Sequence, residues 1–216
     1  CYRNKKINKV SNTKFLGVFI DEKLSWNIQV NNLCNKLARN IGILYKLKHL
    51  PQNILKMLYH SLISSHINYC NIVWGFTTKQ NLDRIYKLQK RAIRLVTHSS
   101  YLSSSVPLFK KMHVLPIRQL ISLETASYMF KLSNNLLPDV TYYHFTQNSS
   151  IYGYDTRNAH NFHLPLHRTS ATQSSIFYHG TLLWNNLHIS LQNSKTLYQF
   201  KRLYKKHLFD VISHTM

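Results

Sequence analysis

Apolar side chains along this chain recur mostly three and four residues apart, which is the repeat of an amphipathic helix. Val30, Leu33, Leu37, Ile41 and Leu44 predict a first helix over 27–48. Pro51 suits the opening of a second helix, with Ile54, Leu55, Leu58 and Leu62 on one face. After a break at Tyr69, Val73, Trp74 and Gly75, a third helix spans 79–97. Pro116 opens a fourth, running through Leu120, Leu123 and Met129 to about Leu132, where Asn134-Asn135 and Pro138 end it. Ser194 is a candidate cap for a last helix with Leu197, Phe200, Leu203 and Leu208 as its stripe. The N-terminus departs from this repeat. There, residues 5–21 predict a β-hairpin, with Ile7 and Val10 on one arm, a turn at Ser11-Asn12-Thr13, and a buried second arm from Phe15 to Ile20. Residues 141–192 are rich in Tyr, His, Ser, Thr and Asn and weakly periodic. The fold class is therefore mainly α.

Composition narrows the function. The 216 residues are 44% hydrophobic, enough for a core, and carry 28 Lys and Arg against 7 Asp and Glu, a formal charge of +21. Every stretch of the chain shares the excess, so the charge decorates folded elements rather than a basic tail, and a polyanion is the expected partner. The 5 Gly are widely separated, which excludes the dinucleotide fingerprint, the phosphate loop and the nucleophile elbow. The 3 Cys form no C-x-x-C pair, which fits a reducing compartment. Cys34 falls near an apolar stripe and reads as a core thiol. No apolar run reaches the ~18 residues of a membrane span. A chain that begins with Cys1 reads as a fragment of a longer product.

The third helix carries the strongest binding signal. Leu82, Ile85, Leu88, Ala92, Leu95 and Val96 take one half of its wheel, and Lys79, Arg84, Lys87, Lys90, Arg91 and Arg94 the other, with Asp83 the only acid among them. An ordinary solvated face would carry more acids to match. A row of cations on one rigid face instead neutralises phosphates and releases their counterions. The first helix sets Asn31, Asn32, Asn35, Lys36, Arg39 and Lys46 opposite its apolar stripe, short amides and cations suited to a shallow duplex groove.

Chemistry is less marked. Asp21 and Glu22 are the only neighbouring acids, and on a strand they point to opposite faces, so they serve to end the strand and start a turn rather than to hold two metals. His160, His163 and His167, with His179 further on, form the best histidine cluster, but no Cys accompanies them and Pro165 interrupts it. Trp26, Trp74 and Trp184 sit at element boundaries and read as packing anchors.

Several strings, in order, resemble the reverse transcriptases of non-LTR (LINE-type, jockey-like) retrotransposons. They are Lys14-Phe15-Leu16-Gly17-Val18 with Ile20-Asp21, Leu24-Ser25-Trp26, Tyr69-Cys70, Val73-Trp74-Gly75, Leu88-Gln89-Lys90-Arg91-Ala92-Ile93-Arg94, Pro107-Leu108-Phe109, Thr156-Arg157, and Gly180 followed by Trp184-Asn185 and Phe200-Lys201. The resemblance implies that residues 1–24 form a palm-edge hairpin with a primer grip at Lys14, Phe15, Leu16 and Gly17. It implies a thumb-like helical bundle at 25–99 clamping a template–primer duplex or RNA–DNA hybrid, connecting helices at 100–140, and a C-terminal extension at 141–216. The nucleic-acid-binding residues are then that strand together with Asn35, Lys36, Arg39, Arg84, Lys87, Lys90, Arg91 and Arg94.

The resemblance also places the catalytic acids, with their Mg²⁺, in an upstream palm and fingers that would be partners of this piece. No catalytic residue, metal or cofactor is then expected here, nor any membrane partner, and the location is the cytoplasm and nucleus. Thr181 and His188 stand where the family commonly has Pro, as in a decaying copy. The alternative is a stand-alone basic nucleic-acid-binding or interaction protein derived from a decayed element, and a weaker one is a structural protein whose charge serves a membrane surface.

Overall fold

The computed structural model describes residues 8–152, 158–164, 166 and 168–214, so Ile7, Thr156-Arg157, Pro165 and His167 lie outside it. A two-stranded antiparallel hairpin, β1 (Asn12–Phe15) and β2 (Val18–Asp21), precedes a helical body. The long helices are α1 (Asn27–Lys46), α2 (Gln52–Tyr59), α5 (Lys79–Val96), α6 (Ser105–Met112), α7 (Ile117–Ser133), α10 (Ile176–Asn185) and α12 (Leu197–His214). Single turns α3 (Ser65–Asn68), α4 (Asn71–Trp74), α8 (Asn148–Ile151), α9 (Ser170–Gln173) and α11 (Ile189–Gln192) join them. The mainly helical class expected from the periodicity is what the chain adopts.

The hairpin turn is not at Ser11-Asn12-Thr13. Asn12 and Thr13 pair with Asp21 and Ile20, and the reversal falls at Leu16-Gly17. Leu16 (φ 45°) and Gly17 (φ 83°) make a two-residue turn with both φ positive, whose twist matches that of paired strands. Gly17 supplies this at no steric cost, which Ser and Thr cannot do. Nor is the second arm buried throughout. Val18 enters the core and Ile20 packs against it, whereas Phe15 and Leu16 are 63% and 74% exposed.

Two apolar cores lie on either side of α7. One joins Val30, Leu37, Ile41 and Leu44 of α1 to Ile85, Ile93 and Val96 of α5, with Trp26 and Trp74 as anchors. The other gathers Met129 and Phe130 of α7 with Trp184, Phe200, Tyr204 and Leu208. Phe130 and Phe200 stack with centroids 4.8 Å apart. Because α7 feeds both cores, its buried residues spread widely around it, with Ile117 and Ile121 in one and Leu123, Ala126 and Leu132 in the other.

Three other expectations are corrected. The buried stripe after Pro51 is Leu55, Tyr59, Ile63 and Ile67, Ile54 is exposed, and a π-helical stretch at His60–Ser64 carries the helix on. The cap of α12 is Thr196, whose Oγ1 accepts from the Gln199 N–H at 3.2 Å, while the Ser194 hydroxyl donates to the Leu191 carbonyl and closes α11. Helix α6, which periodicity did not delineate, tolerates Pro107 because it sits in the first turn, where no intrahelical N–H bond is lost.

Gln89 is the polar centre of the first core. It is 1% exposed, on the face of α5 otherwise taken by Ile85, Ala92 and Ile93. Its Nε2 donates to the Tyr59 hydroxyl at 3.1 Å and to the Leu115 carbonyl at 3.0 Å, and its Oε1 accepts from the Ile117 N–H at 2.9 Å. One side chain thereby fixes α2, α5 and the start of α7. Replacing Gln89 with Leu leaves a buried hydroxyl, a carbonyl and an N–H without partners, each costing ~1–3 kcal/mol. Urea denaturation should show Gln89→Leu destabilised by roughly 3 kcal/mol or more and Lys90→Gln, one residue along, unchanged within ~0.5 kcal/mol. A Gln89→Leu loss below ~1 kcal/mol would contradict this account of the core.

Candidate nucleic-acid interface

Helices α1 and α5 run side by side in the same direction, since Asn27 meets Asn81 and Asn31 meets Arg84 further along both. Their starts are stitched together by polar groups. Thr77 Oγ1 donates to the Ser25 carbonyl at 3.1 Å, and Asn81 Nδ2 donates to Thr77 Oγ1 and to Asn27 Oδ1 at 2.8 Å. Thr78 caps α5 by accepting from the Asn81 N–H. Asn81 is buried by this work.

Asp21 sets where α1 begins. Its carboxylate accepts from the N–H groups of Lys23, Ser25 and Trp26 and from the Ser25 hydroxyl, at 2.9–3.2 Å. Partial burial pushes its pKa up, but the bonds from Ser25, Trp26 and Lys23 outweigh that and hold it below the ordinary carboxylate value. The same bonds hold buried Trp26 at φ 62°, a left-handed conformation that a bulky residue seldom adopts unaided. Asp21 thus ends the strand as the sequence implied and additionally orients the first turn of α1.

Across the joined helices, Lys79, Arg84, Lys87 and Arg91 of α5 are exposed, as are Asn31, Asn35, Lys36, Arg39 and Lys46 of α1. Arg84 lies on the seam and donates to Asn31 Oδ1 at 2.7 Å. Asp83, the acid within the row, is turned away into an ion pair with Arg118 of α7 at 2.9 Å. The Arg118 hydrogen bond, with the charges of Lys79 and Lys87 beside it, holds its pKa low. Among the described residues the other ion pairs are Lys9–Glu22 and Lys201–Glu124, so no carboxylate lies within bonding distance of Lys36, Arg39, Arg84, Lys87 or Arg91.

Other members of the expected set have different company. Arg94 is half-buried, donates to the Ser103 carbonyl at 3.0 Å and lies 5.7 Å from the Tyr101 ring, so it fastens the loop after α5. Lys90 rests 4.8 Å over the Tyr86 ring. Asn32 donates to the Ile28 carbonyl of its own helix.

Lys14, Phe15, Leu16 and Gly17 form the exposed tip of the hairpin. The Leu16 carbonyl accepts from the Tyr69 hydroxyl, and a Cβ on Gly17 would lie 3.5 Å from the Tyr69 ring. Behind the tip, the Phe19 N–H donates to Gln29 Oε1 of α1 at 3.0 Å. Among the described residues no hydrogen bond or ion pair joins the tip to the cations of α5.

Among the described residues no group of three or more His, Cys, Asp or Glu lies close enough to hold an ion. Asp21, Glu22, Asp83 and Glu124 are each engaged in a cap or an ion pair, so they do not fit a two-metal site. His179 stacks on Phe76 at 4.5 Å, and burial lowers its pKa. Cys34 is buried, its thiol pushed up by burial against the opposing charge of Arg84. Cys34 and Cys70 are free thiols.

Because the Asp21 pKa is depressed in the folded chain, its stabilisation is present above the unfolded carboxylate pKa of about 3.9 and is lost as pH falls through the lower folded value. Asp21→Ala should therefore cost about 1 kcal/mol at neutral pH, with the gap to the parent chain closing below about pH 4. A gap that stays constant down to about pH 2 would show that the carboxylate charge plays no part.

In comparison with known proteins, 58% of the chain aligns at 22% identity over 130 residues with the probable RNA-directed DNA polymerase from transposon BS of Drosophila melanogaster. The chain spans 14% of that protein's length. No family model matches the chain, and no solved structure matches it. The chain is thus distantly similar to a transposon RNA-directed DNA polymerase.

Proposed function

We propose that this chain grips the template–primer duplex within an RNA-directed DNA polymerase of the non-LTR retrotransposon type, as its palm-edge hairpin and thumb-like bundle. The observation that carries this reading is the α1–α5 face. Arg84, Lys87 and Arg91 stand exposed on a helix whose acid is paired elsewhere, beside Asn31, Asn35, Lys36 and Arg39 on a helix stitched to it. Exposed cations without acidic neighbours neutralise backbone phosphates, and short amides beside them reach sugar hydroxyls and groove acceptors. Phe15, Leu16 and Gly17 at the exposed hairpin tip are the surface proposed to meet the primer end, propped from behind by Tyr69.

In this reading the chain contributes orientation rather than bond-making, and the acids that bind Mg²⁺ belong to other parts of the polymerase. The distant similarity to a transposon polymerase supports the nucleic-acid partner. No helix among the described residues is long and apolar enough to cross a membrane. The stand-alone reading draws on the same face and on two cores assembled from this chain's own side chains.

The test is the salt dependence of binding to an RNA–DNA hybrid, followed by fluorescence anisotropy. Each phosphate neutralised contributes about 0.9 to the slope of log K against log salt. The variant Arg84→Gln/Lys87→Gln/Arg91→Gln should flatten that slope by roughly 2–3 and weaken binding at every sequence alike. Arg118→Gln, on a cation already paired with Asp83, should change it little. An unchanged slope in the triple variant would refute this face as the binding surface.

A further inference from the structure

A second cationic surface lies behind α5, roughly 150° around that helix from Arg84 and Arg91, on the Gln89 side. There a cavity of about 200 Å³ opens between the π-helical stretch and α12, with Leu115, Leu120 and Leu123 as its floor and His60, His113 and Lys205 at its walls. It shares His113 and Lys205 with a trough of about 610 Å³ that adds Lys110, Arg202, Lys206 and Phe209, with Asp210 as its one acid. Lys205 and Lys206 lie three and four residues after Arg202 on α12, so both flank it one turn on and the three form a short row.

Three elements bring like charges together at the inner end of this row. Burial, and then the charge of Lys56 on α2, lower the Lys205 pKa. Burial, Lys56 and Lys205 lower that of His60. Glu124 of α7 is paired with Lys201, one turn back along α12, at 3.3 Å. A half-buried ammonium at the wall of an apolar-lined cleft, with a second cation near enough to lower its pKa, is a costly arrangement that an entering anion relieves. One carboxylate would occupy little of the trough, whereas linked phosphoryl groups match both the row of cations and the space. His60 at the wall opens a π-helical stretch, a feature often found at functional sites.

We propose that this cleft is an anion site for two or more linked phosphoryl groups, supplied by a nucleic-acid backbone or by the polyphosphate of a free nucleotide. It is separate from the α1–α5 face and does not depend on that face binding a duplex.

The experiment follows thermal unfolding of the full chain with sodium tripolyphosphate, against NaCl of equal ionic strength. Tripolyphosphate at about one hundred times its Kd should raise the Tm by roughly 5–10 °C. Arg84→Gln/Arg91→Gln should keep that rise, and Arg202→Gln/Lys205→Gln should lose it while unfolding no earlier than the parent chain without ligand. Equal shifts in both variants would reduce the effect to diffuse charge and overturn the proposal, as would a shift no larger than that of NaCl. In the Arg84→Gln/Arg91→Gln background, displacement of tripolyphosphate by a short 5′-phosphorylated oligonucleotide at lower concentration than ATP assigns the cleft to a nucleic-acid chain. The reverse order assigns it to a free nucleotide, and displacement by neither contradicts the site.

Discussion

A single buried amide holds this chain's geometry together. Gln89 donates to Tyr59 and Leu115 and accepts from Ile117, so three segments far apart in sequence share one side chain inside an apolar core. A buried amide is tolerable only when its bonds are made, and making them allows one arrangement of α2, α5 and α7. The rotation of α5 about its axis follows from this. With Gln89 fixed inward, Arg84, Lys87 and Arg91 are fixed outward, and Asp83 is delivered to Arg118. The proposed binding face is therefore a consequence of the core.

The same logic recurs in the second half of the chain. Asn185 donates from Nδ2 to the Phe162 carbonyl at 2.7 Å and accepts from the Phe162 N–H at 3.1 Å, clamping an otherwise irregular segment onto α10 beside buried Trp184. Gly75 admits α7 closely, since a Cβ there would collide with the Asn71 carbonyl and press on Ile121. The residues that gave the chain its resemblance to reverse transcriptases, Gln89, Asn185, Trp74, Gly75 and Asp21 among them, do structural work in this fold. That explains how such strings identify a relative without marking a reacting group.

Periodicity made the long helices legible, because α1, α5, α7 and α12 bury continuous stripes. It failed where a local feature overrode the pattern. The hairpin turn followed the positive φ of Leu16 and Gly17 rather than the polar run at Ser11-Asn12-Thr13. The π-helical stretch after α2, through which the buried stripe continues to Ile63 and Ile67, leaves no hydropathy signature. In the binding surface, residue type gave the row of cations but not their partners. Nothing in the sequence shows that Arg94 is spent on Ser103 and Tyr101, or that Asp83 pairs with Arg118 rather than with a cation of its own helix. Those are tertiary contacts between residues on different elements, and a linear pattern cannot carry them.

Lysine acetylation footprinting with and without an RNA–DNA hybrid tests the central claim most directly, because it reads individual side chains in the intact chain. Lys36, Lys79 and Lys87 lie exposed on the joined face, while Lys23 and Lys195 are exposed elsewhere. The account predicts that bound hybrid protects Lys36, Lys79 and Lys87 strongly and leaves Lys23 and Lys195 as reactive as before. Uniform protection of all five, or protection confined to Lys23 and Lys195, would contradict it.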